Sequence, residues 1–372
     1  MVDLDAQRDT AQGSFLYESR SMQFSSPLFA TLAKRCAEDR DILELCAAAR
    51  RGQPIAVFML LVAQYLLFRS PQEKLARYFP SMTQTPLPAD EAFPVFREFC
   101  LERRSHLMRL LATRTLNANL VERASTILPA LQHVYAMTGE PLTLVEICCS
   151  AGLNLLFDDY AYDYGGGGRL GRADAGVRLS CKLIGSSQSV GGFVPPVAER
   201  VGVDLVTIDC SDPDERLWMD AMLFPEWRAE REHLRGALAL RAARKGRMIA
   251  GNALAVLPAL LEELQRPTVV MHSYCMGQWF ASAQEELDKI FRYASRDHDI
   301  HRLGFEVPGT EPAEGIRTRL AALSGANIPI QQKCLPARIE HTRYSKGSAE
   351  TRLLGYADGF GSWLQWRPSD LG

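Results

Sequence analysis

Four polar residues, each at or just after the end of a short apolar run, are the first candidates for chemistry in this sequence. Glu146 lies in LVEICCSAG, Asp204 ends RVGVD, Asn252 follows RMIAG, and Ser273 ends TVVMHS. Carboxylate and amide oxygens accept hydrogen bonds from ammonium and hydroxyl groups, and the carboxylates repel phosphate. This pattern favours a cationic, hydroxyl-bearing small molecule over a nucleotide polyphosphate.

The run LVEICCSAGLN combines Glu146 with a turn of small residues, Ser150, Ala151 and Gly152. In a parallel α/β sheet it predicts a first strand, a turn, and a helix that starts at Leu153 and faces the ligand. A dinucleotide fingerprint needs three spaced glycines, whereas this turn has one. S-adenosylmethionine (SAM) carries an ammonium, a sulfonium and a ribose diol without phosphate, so the motif favours SAM over NAD or ATP. An ordinary strand–turn–helix unit with an exposed Glu is the alternative.

Three further residues fit the same ligand, each with a structural alternative. Asp204 is placed to bind a ribose diol or to cap a turn, and Asp209 is its rival. Asn252 is placed to pair with the adenine edge or to cap the next helix. Asn154 follows Ser150 by one turn, where it reaches the amino-acid end of SAM or faces a neighbouring loop.

Aromatic and basic side chains extend the list. Tyr160, Tyr162 and Tyr164 alternate, which favours a strand with one face of rings. A ring face attracts a sulfonium by roughly 0.5–2 kcal/mol, and ordinary core packing is the alternative. Asn119 and Arg123 lie four residues apart and therefore on one helix face, where they reach a carboxylate or form a surface pair.

The run TVVMHS places His272 and Ser273 at the end of a fourth strand, where reacting groups of parallel sheets lie. His272 is a candidate base, and a structural or hydrogen-bonding role is the alternative. The sequence contains no GxSxG elbow, which disfavours a hydrolase. Its Cys and His spacings and its carboxylates predict no metal site.

Composition limits the protein's class. The 372 residues, 47% of them hydrophobic, suffice for one large domain or two modest ones. A net charge of −2 provides no basic field for nucleic acid or an anionic membrane. The longest apolar stretch, of about 15 residues, is too short for a membrane span, and the polar N-terminus is no secretory signal. We expect a cytoplasmic protein with free thiols and a small-molecule substrate, without nucleic-acid or membrane partners; the oligomeric state stays open.

The sequence pattern changes near residue 139. In 1–138 apolar residues recur three and four apart, with Ser26 and Gly139 as helix caps, so we expect a helical domain that covers the site. In 139–372 strands alternate with helices, which predicts a doubly wound, mostly parallel α/β sheet. An irregular insertion occupies about 160–199, and Thr351–Trp366 predicts a late strand or hairpin.

Longer segments resemble a large bacterial family of unknown function that is distantly similar to class I SAM-dependent methyltransferases. The resemblance is carried by SSPLF (Ser25–Phe29), SAGLNLLFDDYAYDYG (Ser150–Gly165), RVGVDL (Arg200–Leu205), DPDERLWMDAMLFPEW (Asp212–Trp227) and the pair His272–Ser273. It implies a Rossmann-like methyltransferase fold with SAM as substrate or methyl donor.

The chain departs from that family at two places where a ligand is expected. Cys148 and Cys149 stand where the family more often has Gly-Ala, and Asn117–Asn119 reads Asn-Ala-Asn where it more often has Gln-Thr-Asn. Asn252 also stands where methyltransferases often carry Asp.

Some sequences similar to this family are azetidine-2-carboxylate synthases of natural-product biosynthesis, which cyclise SAM and release methylthioadenosine. We therefore expect a SAM cyclase; a small-molecule methyltransferase and a non-catalytic SAM-binding module are the alternatives. The expected catalytic residues are Tyr160, Tyr162, Tyr164, Asn119 and His272. The expected SAM-binding residues are Glu146, Ser150, Gly152, Asn154, Asp204, Asn252 and Ser273.

Overall fold

The chain folds into two compact units, one helical and one built on a large β-sheet. The computed structural model describes residues 4–50, 52–185, 190–244, 246–264, 267–307 and 336–368. Of the described residues, those up to Ala118 and Asp212–Glu232 form the helical unit, and those from Asn119 to Ser211 and from His233 onward form the sheet unit. A single boundary at residue 138, as expected from the sequence, would instead place Asn119–Thr138 in the helical part and Asp212–Glu232 in the sheet part.

The described elements are listed here in chain order. The helices are α1 (Leu4–Ser21), α2 (Pro27–Cys36), α3 (Arg40–Cys46), α4 (Ile55–Phe68), α5 (Ala92–Glu102), α6 (Arg104–Thr113), α7 (Ala124–Thr138), α8 (Pro213–Ala221), α9 (Arg228–Ala243), α10 (Ala253–Glu263) and α11 (Ala281–Ala294). The strands are β1 (Leu142–Ile147), β2 (Ala161–Asp163), β3 (Arg169–Gly171), β4 (Arg178–Ser180), β5 (Lys182–Leu183), β6 (Val197–Asp204), β7 (Arg247–Ala250), β8 (Thr268–Ser273), β9 (Ile300–Glu306), β10 (Ala337–Ser345), β11 (Ser348–Ala357) and β12 (Trp363–Trp366). Short 3₁₀ helices cover Lys74–Tyr78, Ala89–Glu91, Val121–Arg123, Asn154–Asp159, Gly165–Gly167 and Met276–Gln278.

The helical unit packs α1–α6 and α8 around an apolar core. The predicted cap of α2 is confirmed, because the Ser26 hydroxyl accepts a hydrogen bond from the Phe29 N–H at 3.3 Å. Gln64, in the apolar helix α4, donates to the carbonyls of Ala221 and Leu223 at 2.8 and 2.7 Å, so its burial leaves this amide nitrogen satisfied. Among the helices that the structure describes, none combines the length and the apolar character needed to cross a membrane.

The sheet unit is organised by a nine-stranded sheet in the order β5-β12-β11-β10-β9-β8-β1-β6-β7. The strands β7, β6, β1, β8 and β9 run parallel. The successive pairs β9–β10, β10–β11 and β11–β12 are antiparallel, which confirms the late hairpin. If these five parallel strands are numbered 1 to 5 in chain order, their order across the sheet is 3-2-1-4-5. The order therefore reverses between β1 and β8. Ligands of such sheets bind outside the carboxyl ends of the strands at this switch point.

The insertion after β1 forms a small separate sheet, β3-β2-β4, and β5, which pairs with β12. Its backbone turns closely at Gly171, where an added Cβ would lie 2.0 Å from the Tyr160 carbonyl oxygen. Only glycine fits this position.

The sequence predictions of class are confirmed: the protein is α/β, with a large, mostly parallel sheet and an N-terminal helical region. The methyltransferase type of the sheet stays a prediction. One local prediction is wrong, because the segment after the first turn is a 3₁₀ helix, Asn154–Asp159, with non-helical angles at Leu156. The segment after Asp212 forms two helices, α8 and α9, separated by Met222–Trp227.

Candidate functional site

The loop after β1 has an unusual backbone at the switch point. Cys148, Ser150 and Gly152 have φ values of +56°, +52° and +66°, so every second residue is left-handed. This conformation costs a residue with a side chain roughly 1–2 kcal/mol, and it persists only where the surroundings impose it. One such contact is the Ser150 N–H, which donates to Asp204 Oδ2 at 2.7 Å and joins the loop to the end of β6.

Glu146 lies in the middle of the sheet, paired in register with Gly202 on β6 and Met271 on β8. Only 4% of its surface is exposed. Asn154 Nδ2 donates to Oε1 at 2.7 Å, while Oε2 and the Asn154 Oδ1 have no hydrogen-bond partner among the described residues. A buried acceptor without a donor costs about 1–3 kcal/mol. Two such acceptors on adjacent side chains are therefore suited to a ligand that brings donors.

The charge of Glu146 depends on these surroundings. Burial raises the pKa of its carboxyl from 4.5 to about 8, the bond from Asn154 opposes that rise, and the carboxylate of Asp204 adds to it. Arg123 and Arg241 lower the pKa through their positive charge. The carboxyl is consequently largely protonated at neutral pH and ionises when a cation approaches.

Arg123 supplies the opposite charge at the same edge of the sheet. Its Nη1 donates to the Ser273 hydroxyl at 3.3 Å, its Nε donates to the Gly359 carbonyl at 3.0 Å, and its guanidinium lies 4.4 Å from the centre of the Tyr274 ring. These contacts hold Arg123 at the end of β8. A carboxyl and a guanidinium that influence one another are the pair that an α-amino acid zwitterion requires.

Asn119 and Asp204 border the loop on two sides. Asn119 is buried, and its Nδ2 donates to the Cys149 carbonyl at 3.4 Å. Asp204 accepts the N–H groups of Ser150 and Val206 through separate oxygens, at 2.7 and 3.2 Å, and a carboxylate has capacity for further donors. Its rival Asp209 is exposed and accepts hydrogen bonds from the N–H and hydroxyl of Ser211.

The other predicted residues make structural contacts. Asn252 caps α10, with Oδ1 accepting the Leu254 N–H at 3.0 Å. Tyr160, Tyr162 and Tyr164 are buried, and their hydroxyls donate to the carbonyls of Leu153, Phe157 and Ser125 at 2.7, 2.5 and 2.5 Å. These contacts are the ones expected if Asn252 is a helix cap and the three tyrosines are core residues. A role in binding adenine or a sulfonium stays a prediction.

His272, itself buried, belongs to a partly buried hydrogen-bonded cluster that includes two residues sequence reasoning missed, Glu306 and Arg302. His272 Nδ1 lies 2.7 Å from Glu306 Oε1, and Arg302 Nε donates to His272 Nε2 at 2.9 Å. Since Nε2 accepts, the proton is on Nδ1, and burial lowers the pKa of the ring. Both nitrogens are thus engaged, which disfavours a free base. Glu306 ends the apolar run HRLGFE, so the strand-end signal that marked Asp204 also marks it.

The same cluster has the dimensions of a metal site. One potential ligand atom from each of His272, Cys275 and Glu306 lies within 4.8 Å of the others. However, the Glu306 oxygens also accept the N–H groups of Cys275 and Met276 at 3.2 Å, and the bond from Arg302 leaves a proton on the ligating nitrogen of His272. Hydrogen bonding accounts for this cluster.

Comparison with known proteins identifies the family. The family model described as "Uncharacterized protein conserved in bacteria (DUF2332)" matches residues 14–366, nearly the whole chain, so the chain belongs to that family. No curated protein matches the chain, and no solved structure matches it.

Proposed function

We propose that this member of the bacterial family is a SAM-using enzyme whose ligand lies at the carboxyl ends of β1, β6 and β8. One observation carries the proposal: Glu146 Oε2 and Asn154 Oδ1 are buried without hydrogen-bond partners among the described residues, and both accept hydrogen bonds once a bound cation ionises the carboxyl. An ammonium group offers three donors and a positive charge, so it satisfies both oxygens at once. A pyrophosphate offers neither and would lie against two carboxyl groups.

The remaining contacts fit the other parts of SAM. Arg123, with the Ser273 hydroxyl beside it, suits the carboxylate of the amino-acid end. Asp204 ends the neighbouring strand, the position from which an acid accepts the hydroxyls of a ribose. The three side chains thus match an ammonium, a carboxylate and a diol, in a ligand without phosphate.

The reaction that this arrangement supports best is cyclisation of SAM. The nitrogen of the amino-acid end attacks the γ-carbon, the bond from that carbon to sulfur breaks, and azetidine-2-carboxylate and methylthioadenosine form. The step needs a folded chain and an amine that has lost its proton. Positioning supplies effective molarities of roughly 10⁵–10⁸ M. Glu146, ionised once the ammonium lies beside it, is the group that accepts that proton.

Calorimetry with SAM, NAD and ATP tests the binding. We expect SAM to bind, and NAD and ATP not to bind. Glu146→Gln and Asp204→Asn should each weaken SAM binding by about 1–3 kcal/mol, the value of a lost charged hydrogen bond. Asp209→Asn is the matched control and should bind as the wild type does. Unchanged affinity in both site variants, with the fold intact, would remove the proposed ligand site.

A proton count gives a second readout. Because the carboxyl of Glu146 has a pKa of about 8, binding of a cation beside it should release roughly 0.9 proton at pH 7. Calorimetry in buffers of different ionisation enthalpy measures this number, and Glu146→Gln should lose the release.

Incubation with SAM alone identifies the reaction. Methylthioadenosine together with azetidine-2-carboxylate supports cyclisation, whereas homoserine or its lactone indicates a SAM lyase. S-adenosylhomocysteine that forms only after an acceptor is added would replace the cyclase by a methyltransferase. Binding without any product would leave a SAM-binding module.

A further inference from the structure

Two thiols meet at the switch point. Cys148 follows β1 and Cys275 follows β8, the two parallel strands between which the strand order reverses. Cys275 belongs to a buried apolar cluster against which the Cys148 side chain packs, and a side-chain hydrogen bond joins the two thiols. Both are free thiols, Cys148 half-buried and Cys275 buried. Neither thiol has a part in the proposed reaction.

The backbone on both sides holds the thiols in this arrangement. Cys148 has a φ of +56°, and Tyr274, which precedes Cys275, has a φ of +55°. Such values are unfavourable for residues with side chains and indicate imposed conformations. The neighbouring thiol of Cys149 is directed elsewhere, because its sulfur lies 2.8 Å from where a Cβ on Gly202 would stand. Cys275, in the buried cluster against which Cys148 packs, is therefore the thiol available to Cys148.

We propose that Cys148 and Cys275 form a reversible disulfide on exposure to a hydroperoxide, and that this bond connects the two loops bordering the ligand site. The inference rests on the two thiols and their loops, and it holds whether or not SAM is the ligand.

The chemistry begins at Cys148, the more accessible of the two thiols. Its thiolate attacks the terminal oxygen of the peroxide, the O–O bond breaks, and an alcohol or water leaves after taking up a proton. The product is a sulfenic acid on Cys148. The hydrogen bond to Cys148, together with burial, raises the pKa of the Cys275 thiol, so Cys275 is the weaker first nucleophile.

The second step closes the bond. Cys275 loses its proton to a neighbouring base, for which Glu306 is a candidate because one of its oxygens and the Cys275 sulfur lie within 4.8 Å of each other. The sulfur then attacks the sulfenic sulfur, and hydroxide leaves as water with that proton. The two thiols lose two hydrogens in total and the peroxide is reduced. A dithiol reductant reverses the reaction by thiol–disulfide exchange.

Mass spectrometry of the full-length protein tests the proposal. After treatment with hydrogen peroxide, we expect the intact protein to lose two hydrogen atoms and a peptide map to link Cys148 to Cys275. Dithiothreitol should restore the starting mass. Cys148→Gly and Cys275→Ser should each abolish the link, and Cys148→Gly removes the left-handed strain, so it should fold.

The control variant is Cys181→Ser, which alters a buried thiol of the same unit and should keep the link. The thiols of Cys36 and Cys100, fully buried in the helical unit, should stay reduced. Oxidation of Cys148 to a sulfinic acid without a cross-link, or a link to Cys149, would overturn the proposal. So would protection of the thiols by a zinc ion that a chelator removes, because the cluster with His272 and Glu306 would then be a metal site.

Discussion

Replacing Glu146 by glutamine should make the protein more stable near and above neutral pH while it weakens ligand binding. The two side chains have the same shape, but glutamine cannot ionise. The carboxyl has a pKa of about 8 in the folded protein against 4.5 when exposed, because burial disfavours its charged form. The folded state therefore binds this proton more tightly than the unfolded state.

The sign and size of the effect follow from that difference. Between pH 4.5 and 8 the folded protein holds more protons at this site, so its contribution to stability is present at low pH and is lost as pH rises. The full loss amounts to about 5 kcal/mol. From pH 5.5 to 7.5 the two pKa values give a loss of about 2.5 kcal/mol.

Urea unfolding of the wild type and of Glu146→Gln at pH 5.5, 6.5 and 7.5 measures the effect. The stability advantage of the variant should grow by about 2.5 kcal/mol over this range. Glu285→Gln, on the exposed surface of α11, is the control and should show no such growth. If the wild type and Glu146→Gln change in parallel with pH, the carboxyl is already ionised at neutral pH, and the argument for an acceptor awaiting a cation fails.

Three other perturbations test separate parts of the sheet unit. Burial lowers the pKa of His301 to about 4 and of His341 to about 3, so the unfolded state gains protons first as pH falls below 6.5. The free energy of unfolding of Glu146→Gln should thus drop by roughly 2 kcal/mol per histidine from pH 7 to 5, and a flat profile in urea unfolding would contradict this. Gly202→Ala should cost about 1–3 kcal/mol by overpacking, because two sulfur atoms lie 2.6 and 2.8 Å from the added Cβ. Gly176→Ala, which meets open space, should change stability far less, and equal losses would refute the packing argument. Cys148→Gly should raise the melting temperature modestly, since it removes about 1–2 kcal/mol of left-handed strain at a cost of roughly 0.5–1 kcal/mol in chain entropy; a lower melting temperature would show that the thiol contact outweighs the strain.

The sequence predicted the parallel strands well because each is a short apolar run with a local boundary. The strands β7 and β8 coincide with RMIA and TVVMHS, and β1 and β6 contain LVEI and RVGVD at their carboxyl ends. The ends of these runs led directly to Glu146, Asp204 and Ser273. Once an alternating strand–helix pattern fixes a parallel sheet, the carboxyl ends of these strands must lie along one edge. That rule needs no knowledge of long-range contacts.

The features that the sequence did not predict are those that local sequence pattern does not determine. Asn154–Phe157 is buried at every position, so no polar face distinguishes an α-helix from the observed 3₁₀ turn. Glu215–Lys245 has a helical sequence pattern, but periodicity does not say with which unit a helix packs, and Asp212–Glu232 belongs to the helical unit. The pairing of His272 with Arg302 and Glu306 depends on the register of β8 and β9, which is a non-local property.

The departures from ordinary folding rules in the segment Glu146–Gly152 fall together for a reason. The segment contains a buried carboxyl oxygen without a donor and two left-handed residues with side chains, Cys148 and Ser150. An apolar residue in place of Glu146 would remove the unpaired oxygen, and glycine in place of Cys148 or Ser150 would remove the left-handed strain. Each of these changes would add stability. Instead, the loop is held in its strained form by Asp204, and the unpaired oxygen is beside it on the same strand. Unfavourable local features that single substitutions could remove, and that nevertheless occur together, are characteristic of ligand-binding sites. The stability that Glu146→Gln gains should therefore be accompanied by a loss of binding.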